Sequence, residues 1–168
     1  MPLDPALTTL AFTSPSGNGM LWLVLGAAAI ATLVCVGLHY ETIRLLISVL
    51  HRKQYQSSRP VLILVVLVLL VAHLIEAAIF AVTYLFVFAM HSGDHLEGQY
   101  DGTFGDTLYF SLSVYTTVGF GDIAPIGPVR LLVGIEALAG LVLITWSASF
   151  TFLMMQRIFA RDFKIKAD

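Results

Sequence analysis

Three long apolar stretches separated by short polar connections set the pattern of this chain. They cover residues 20–50, 60–90 and 128–158. Each exceeds the roughly 20 residues that a helix needs to cross a bilayer. Their interiors are runs of Leu, Val, Ile, Ala and Phe, without the period-2 alternation of a barrel strand. The pattern predicts three transmembrane helices. A fourth apolar run, within 104–116, is too short to span. Thr103 and Asp106 stand at its start with capping-box spacing, which predicts a helix beginning near Phe104. A short helix there reads as re-entrant, with irregular backbone over 117–122 after it. Such backbone is tolerated at membrane depth only where it is buried in protein or lines a watery path.

Composition strengthens this picture. Apolar residues make up 58% of the chain and charged residues 12%, about half the charged share of a soluble domain. The single cysteine, Cys35, sits inside an apolar run, so it reads as a small residue facing lipid or another helix. Charge placement adds an orientation. Arg44, Arg52, Lys53 and Arg59 gather at the first connection, and Arg157, Arg161, Lys164 and Lys166 follow the third span, whereas only Arg130 lies on the other side. By the positive-inside rule the loop 51–59 and the tail 159–168 are cytoplasmic, and the lead 1–19 and the segment 91–126 face outward. No basic stretch precedes the first span, so it reads as a retained helix and not as a cleaved signal.

Residues 117–122 carry the candidate chemistry. A dehydrated cation needs oxygen ligands, and successive backbone carbonyls supply them when they point to one axis. Such a run needs residues that accept unusual dihedrals, which glycine does. Gly119 and Gly121 alternate here with Val118 and Phe120. Carbonyls of Thr117, Val118, Gly119 and Phe120 are expected to face the ion, with Val118 and Phe120 side chains packed behind. The end of the short helix would turn its partial negative charge toward a cation.

The segment Thr117-Val118-Gly119-Phe120-Gly121-Asp122 resembles the TVGYGD signature of the potassium channel superfamily. The similarity extends to Tyr109-Phe110-Ser111, Thr116 and Pro125. The chain is most similar to small bacterial channels built from an outer helix, pore loop and inner helix, with one helix added in front. The resemblance implies an all-α membrane protein with three transmembrane helices, a re-entrant pore helix (104–116) and a selectivity-filter loop (117–122). It implies a pore module over 60–158, a homotetramer around one pore, K+ as the permeant ion held at Thr117, Val118, Gly119 and Phe120, and a place in a bacterial inner membrane. It implies no organic cofactor, no enzyme activity and no nucleic acid. It also implies that Gly121 completes the filter and that Thr116, Asp122, Ser113 and Tyr109 support it. Two departures stand out: Phe120 replaces the usual Tyr, and Ser113 stands where some relatives place a Glu that pairs with the Asp after the filter. A weakly selective cation channel, or a non-conducting accessory or sensor protein, would use the same segments.

The remaining polar residues give further candidates. Gly134 and Gly140 interrupt the third span, and either a gating bend or close helix packing accounts for them. His73 and Glu76, one turn apart in the second span, and Glu136 in the third form a candidate intramembrane polar network. It would act as a proton- or metal-sensitive latch or as a fixed brace. His39, Glu41 and Arg44 are expected at the inner end of the first helix, where Glu41 and Arg44 have the spacing of a surface ion pair. His91 and His95 have the spacing of a weak metal site. No helix carries arginine at every third position, so a voltage sensor of that kind is not expected.

Overall fold

The computed structural model describes residues 15–52, 58–90 and 93–165. The expectations for most of the lead, the core of the basic connection and His91 lie outside these residues.

The chain folds as helix α1 (Pro15–Arg52), helix α2 (Ser58–Met90), strand β1 (His95–Gly98), helix α3 (Phe104–Tyr115), strand β2 (Ile123–Ile126) and helix α4 (Arg130–Ile165). Helices α1, α2 and α4 are each long and apolar enough to cross a membrane, over Gly19–Leu50, Pro60–Met90 and Arg130–Arg157. The predominantly helical architecture with a short helix between the last two spans is the one expected, and the chain is a multi-pass membrane protein.

Each long helix is apolar nearly all round, as a helix in lipid must be. Burial therefore shows which face meets protein. On α1 the buried positions are Met20, Val24, Ala28, Ala31, Cys35, His39, Ile43 and Leu46, at steps of three and four. This is one helical stripe. Its middle is small (Ala28, Ala31, Cys35), which lets membrane helices approach closely. The stripe lies on α2 and α4, and α3 is held between α2 and α4. The core joins Phe80 and Tyr84 of α2, Phe110 and Tyr115 of α3, and Leu132 and Leu143 of α4.

Helix α3 starts where the capping box predicts. The Asp106 amide donates to Thr103 Oγ1 (3.1 Å), and the Thr103 amide donates back to Asp106 Oδ2 (3.4 Å). The Asp106 carboxyl is held below its ordinary range by these bonds and by the Asp101 amide.

Strands β1 and β2 were not expected from the sequence. They pair antiparallel with His95 opposite Ile126 and Gly98 opposite Ile123, so they clasp the two ends of the segment that contains α3. Four-residue strands offer too few positions for an alternating pattern to appear. Helix α4 also begins two residues later than expected. Asp94 Oδ1 accepts the Val129 amide at 2.8 Å just ahead of its first turn, a favourable place for a carboxylate.

Candidate pore segment and the polar clusters behind it

Residues 116–122 leave the end of α3 and return to β2. The Thr117 amide donates to the Val114 carbonyl (2.8 Å), and the Gly119 amide donates to the Ser113 carbonyl (3.0 Å). The loop is thereby folded back on the last turn of α3. The sign of φ alternates along it. Thr117 (+61°), Gly119 (+55°) and Gly121 (+80°) lie in the left-handed region, and Val118 and Phe120 do not. Alternating right- and left-handed residues turns successive peptide units to a common side, amides on one face and carbonyls on the other. Glycine carries two of the three positive values at no steric cost; Thr117 carries the third with a Cβ.

Ser113 supports this loop through its backbone carbonyl, while its hydroxyl bonds the Phe110 carbonyl at 2.8 Å. Thr116 closes α3, and its hydroxyl returns to the Leu112 carbonyl. Asp122 is gripped twice at the far end of the loop. Its carboxylate accepts the Tyr109 hydroxyl at 2.9 Å, and its carbonyl accepts the Gln99 amide at 3.1 Å. The Tyr109 ring stacks on Phe120 with centroids 5.9 Å apart and planes 5° from parallel. Within one chain, Tyr109 thus acts on Asp122, the position for which Ser113 lacks a carboxyl partner. Val118 and Phe120 are 57% and 65% exposed, large apolar side chains that their own chain leaves mostly uncovered.

The glycines of α4 differ. A Cβ on Gly140 would meet the backbone of Tyr115, whose carbonyl carbon lies 2.9 Å away, whereas a Cβ on Gly134 would meet nothing within 4 Å. The helix runs unbroken through both. Gly140 is therefore a close-packing point between α4 and the end of α3. Thr145 and Ser149 lie on the exposed side of α4, and their hydroxyls bond the Leu141 and Thr145 carbonyls of their own helix.

The expected network of His73, Glu76 and Glu136 is divided into two buried sets. Glu136 accepts the Tyr84 hydroxyl and lies 2.5 Å from Ser111 Oγ, which also lies 2.7 Å from the Ala77 carbonyl. A hydroxyl has one proton and a carbonyl only accepts, so this set closes when the Glu136 carboxyl carries a proton. Glu76 belongs to the other set. Its Oε1 meets His39 Nδ1 at 2.9 Å, its Oε2 meets His73 Nδ1 at 2.9 Å, and the Tyr115 hydroxyl donates to Oε2. Ser147 Oγ lies 3.0 Å from His73 Nε2 and 3.3 Å from His39 Nε2.

His39, expected at the inner end of the first helix, is fully buried and bonds Glu76, 37 residues away. Its ring lies 5.3 Å from those of His73 and Trp146. The signal for it was its place in the stripe Ala28, Ala31, Cys35, His39, where a polar residue falls on the contact face. Glu41 and Arg44 form the exposed pair at 3.0 Å. Cys35 is buried, with Sγ 3.7 Å from the Glu76 carbonyl oxygen.

Residues 63–157 match the model of a protein family described as ion channel. A curated relative, the inward rectifier potassium channel Kirbac3.1 of Paramagnetospirillum magnetotacticum, is 35% identical over 86 residues, which cover 51% of this chain and 28% of the relative. The chain thus spans little more than a quarter of that relative's length. No solved structure matches it. Both comparisons bear out the resemblance to the potassium channel superfamily.

Proposed function

The chain belongs to the ion channel family, and we propose that it is one subunit of a potassium-selective channel in which four copies surround a single pore. The observation that carries this reading is the backbone of residues 117–121. The alternating sign of φ at Thr117, Gly119 and Gly121 suits a column of carbonyls facing one axis, the geometry that replaces a potassium ion's hydration shell. The potassium channel named among its relatives supports K+ as the permeant ion.

In this reading Thr117, Val118, Gly119 and Phe120 present ligand oxygens, and Gly121 opens the filter to the outside. Ser113, Thr116, Tyr109 and Asp122 hold the filter from behind and above. One chain supplies one such segment, so a closed ring takes several copies. The exposed Val118 and Phe120 side chains then pack between subunits. The excess of basic residues after α1 and after the third span supports a cytoplasmic side for both. Conduction is passive and involves no bond making.

The test is reconstitution of the purified chain in liposomes. Potassium flux blocked by barium, and a reversal potential that follows the potassium gradient, are expected. A reversal potential that follows sodium and potassium equally would replace this reading with a weakly selective channel. Absence of flux from folded protein would replace it with a non-conducting membrane protein.

A further inference from the structure

We propose that His39, His73 and Glu76 form a binding site for a divalent transition-metal ion of the zinc class, which fastens the first helix to the pore module behind the filter. One ligand atom from each residue lies within 4.8 Å of the others. His39 comes from α1, while His73 and Glu76 share one face of α2. The donors are two imidazoles and one carboxylate, a set that suits zinc, cobalt or nickel. Calcium and magnesium require mostly oxygen ligands and are poorly served.

The hydrogen-bond partners suit an ion. Both Nδ1 atoms face Glu76, His73 Nδ1 also lies 2.9 Å from the Tyr115 hydroxyl, and both Nε2 atoms face the single hydroxyl of Ser147. A metal bound through the two Nδ1 atoms and Glu76 makes the two rings equivalent. Each Nε2 then carries a proton and donates to Ser147 Oγ, which accepts two bonds. The serine becomes the outer partner that fixes both rings, as metal-bound histidines require. The Tyr115 hydroxyl, already on Glu76, stands ready as a fourth ligand or as the bond that orients the carboxylate. The His73 side chain is 16% exposed and the other two are fully buried, so entry is from the His73 side.

The site would reach the pore through one residue. Tyr115 ends α3, two positions before Thr117, and its backbone lies against Gly140. A metal that draws on Glu76 acts on the residue seated beneath the loop.

Tag-free full-length protein in detergent, loaded with Zn2+ and washed with a chelating resin, is expected to retain about one zinc per chain. His39→Ala and His73→Ala are expected to retain none, and His95→Ala the full amount. Ser147→Ala is expected to weaken binding by about 10- to 100-fold. Loading the wild type with Co2+ adds a readout that needs no variant: visible bands of a four-coordinate nitrogen and oxygen site, changed in position by Ser147→Ala. Zinc retained equally in His39→Ala and His73→Ala, zinc lost in His95→Ala, or a wild type that shows neither retained zinc nor cobalt bands would overturn the proposal. These readouts do not involve conduction, so their failure is distinct from failure of the channel reading.

Discussion

The hydroxyl of Tyr109, on the second turn of the short helix, donates a 2.9 Å hydrogen bond to the carboxylate of Asp122 at the far end of the candidate filter. The bond spans the filter loop from behind and holds the tyrosine proton, which raises the Tyr109 pKa above its ordinary value near 10. A raised folded-state value means that the contribution is complete below pH ~10 and is lost as pH rises through the folded value. Tyr109→Phe keeps the ring stacked on Phe120 and removes only this bond. We expect a folded protein whose potassium flux decays faster or is several-fold lower, with the wild type approaching the variant above pH ~10. Flux from liposomes across pH 7 to 11 checks this, and equal flux at all pH values would refute it.

Gly140 and Gly134 differ in what surrounds them. A Cβ at Gly140 meets backbone atoms, which cannot turn aside as the end of a side chain can. Gly140→Ala is expected to cost about 1–3 kcal/mol, the range for overpacking a tight contact. Gly134→Ala has open space within the chain and is expected to change stability by no more than ~1 kcal/mol, with alanine favoured as the better helix former. Reversible unfolding in mixed detergent micelles, followed by circular dichroism, separates the two. A gating bend at Gly140 predicts instead that stability holds and only open probability falls.

Much of this was legible in the sequence because its strongest signals are long. A long, mostly apolar stretch such as 60–90 announces a span, and Thr103 with Asp106 announces the start of the short helix. The orientation of each long helix was not legible. In lipid both faces are apolar, so hydropathy could not tell Cys35 and His39, which face protein, from Leu33 and Tyr40, which do not. Sequence alone therefore groups His39 with its charged neighbours Glu41 and Arg44. The division of the acidic residues into two sets was hidden for a related reason. Glu76 and Glu136 look alike as intramembrane carboxyls, and their hydroxyl partners, Tyr115 for one and Tyr84 and Ser111 for the other, are side chains that pass as ordinary members of a helix. The β1–β2 clasp was too short to show a period.

The capping box at Thr103 is expected to set the start of the short helix. Thr103→Ala leaves the Asp106 amide without its acceptor and is expected to cost about 1 kcal/mol. Faster hydrogen exchange at the Asp106 and Thr107 amides would report it. The carboxyl of Asp106 adds a pH dependence. Its lowered pKa means that its bonds to the Asp101 and Thr103 amides are complete above pH ~4 and lost as pH falls through the folded value. Protection of those two amides is expected to fall on acidification, and protection unchanged down to pH 2 would contradict the assignment.

The Glu136 set yields the sharpest contrast between substitutions. If the carboxyl carries a proton, as the single proton of Ser111 requires, then the side chain is neutral and glutamine is nearly its isostere. Glu136→Gln is expected to cost no more than ~1 kcal/mol. Removing a partner is worse, because a buried polar atom is left without a bond, at about 1–3 kcal/mol. Tyr84→Phe and Ser111→Ala each fall in that range. A charged carboxylate predicts the opposite order, since Gln would then bring a donor to face the two hydroxyl donors and lose the charge that holds them. Combining Tyr84→Phe with Glu136→Gln tests the assignment further. The two side chains share a hydrogen bond, so their effects are expected to be less than additive, with a coupling of about 0.5–3 kcal/mol. Unfolding of the four proteins in one micelle composition supplies the cycle. Strict additivity would mean that the Tyr84–Glu136 bond contributes nothing to stability.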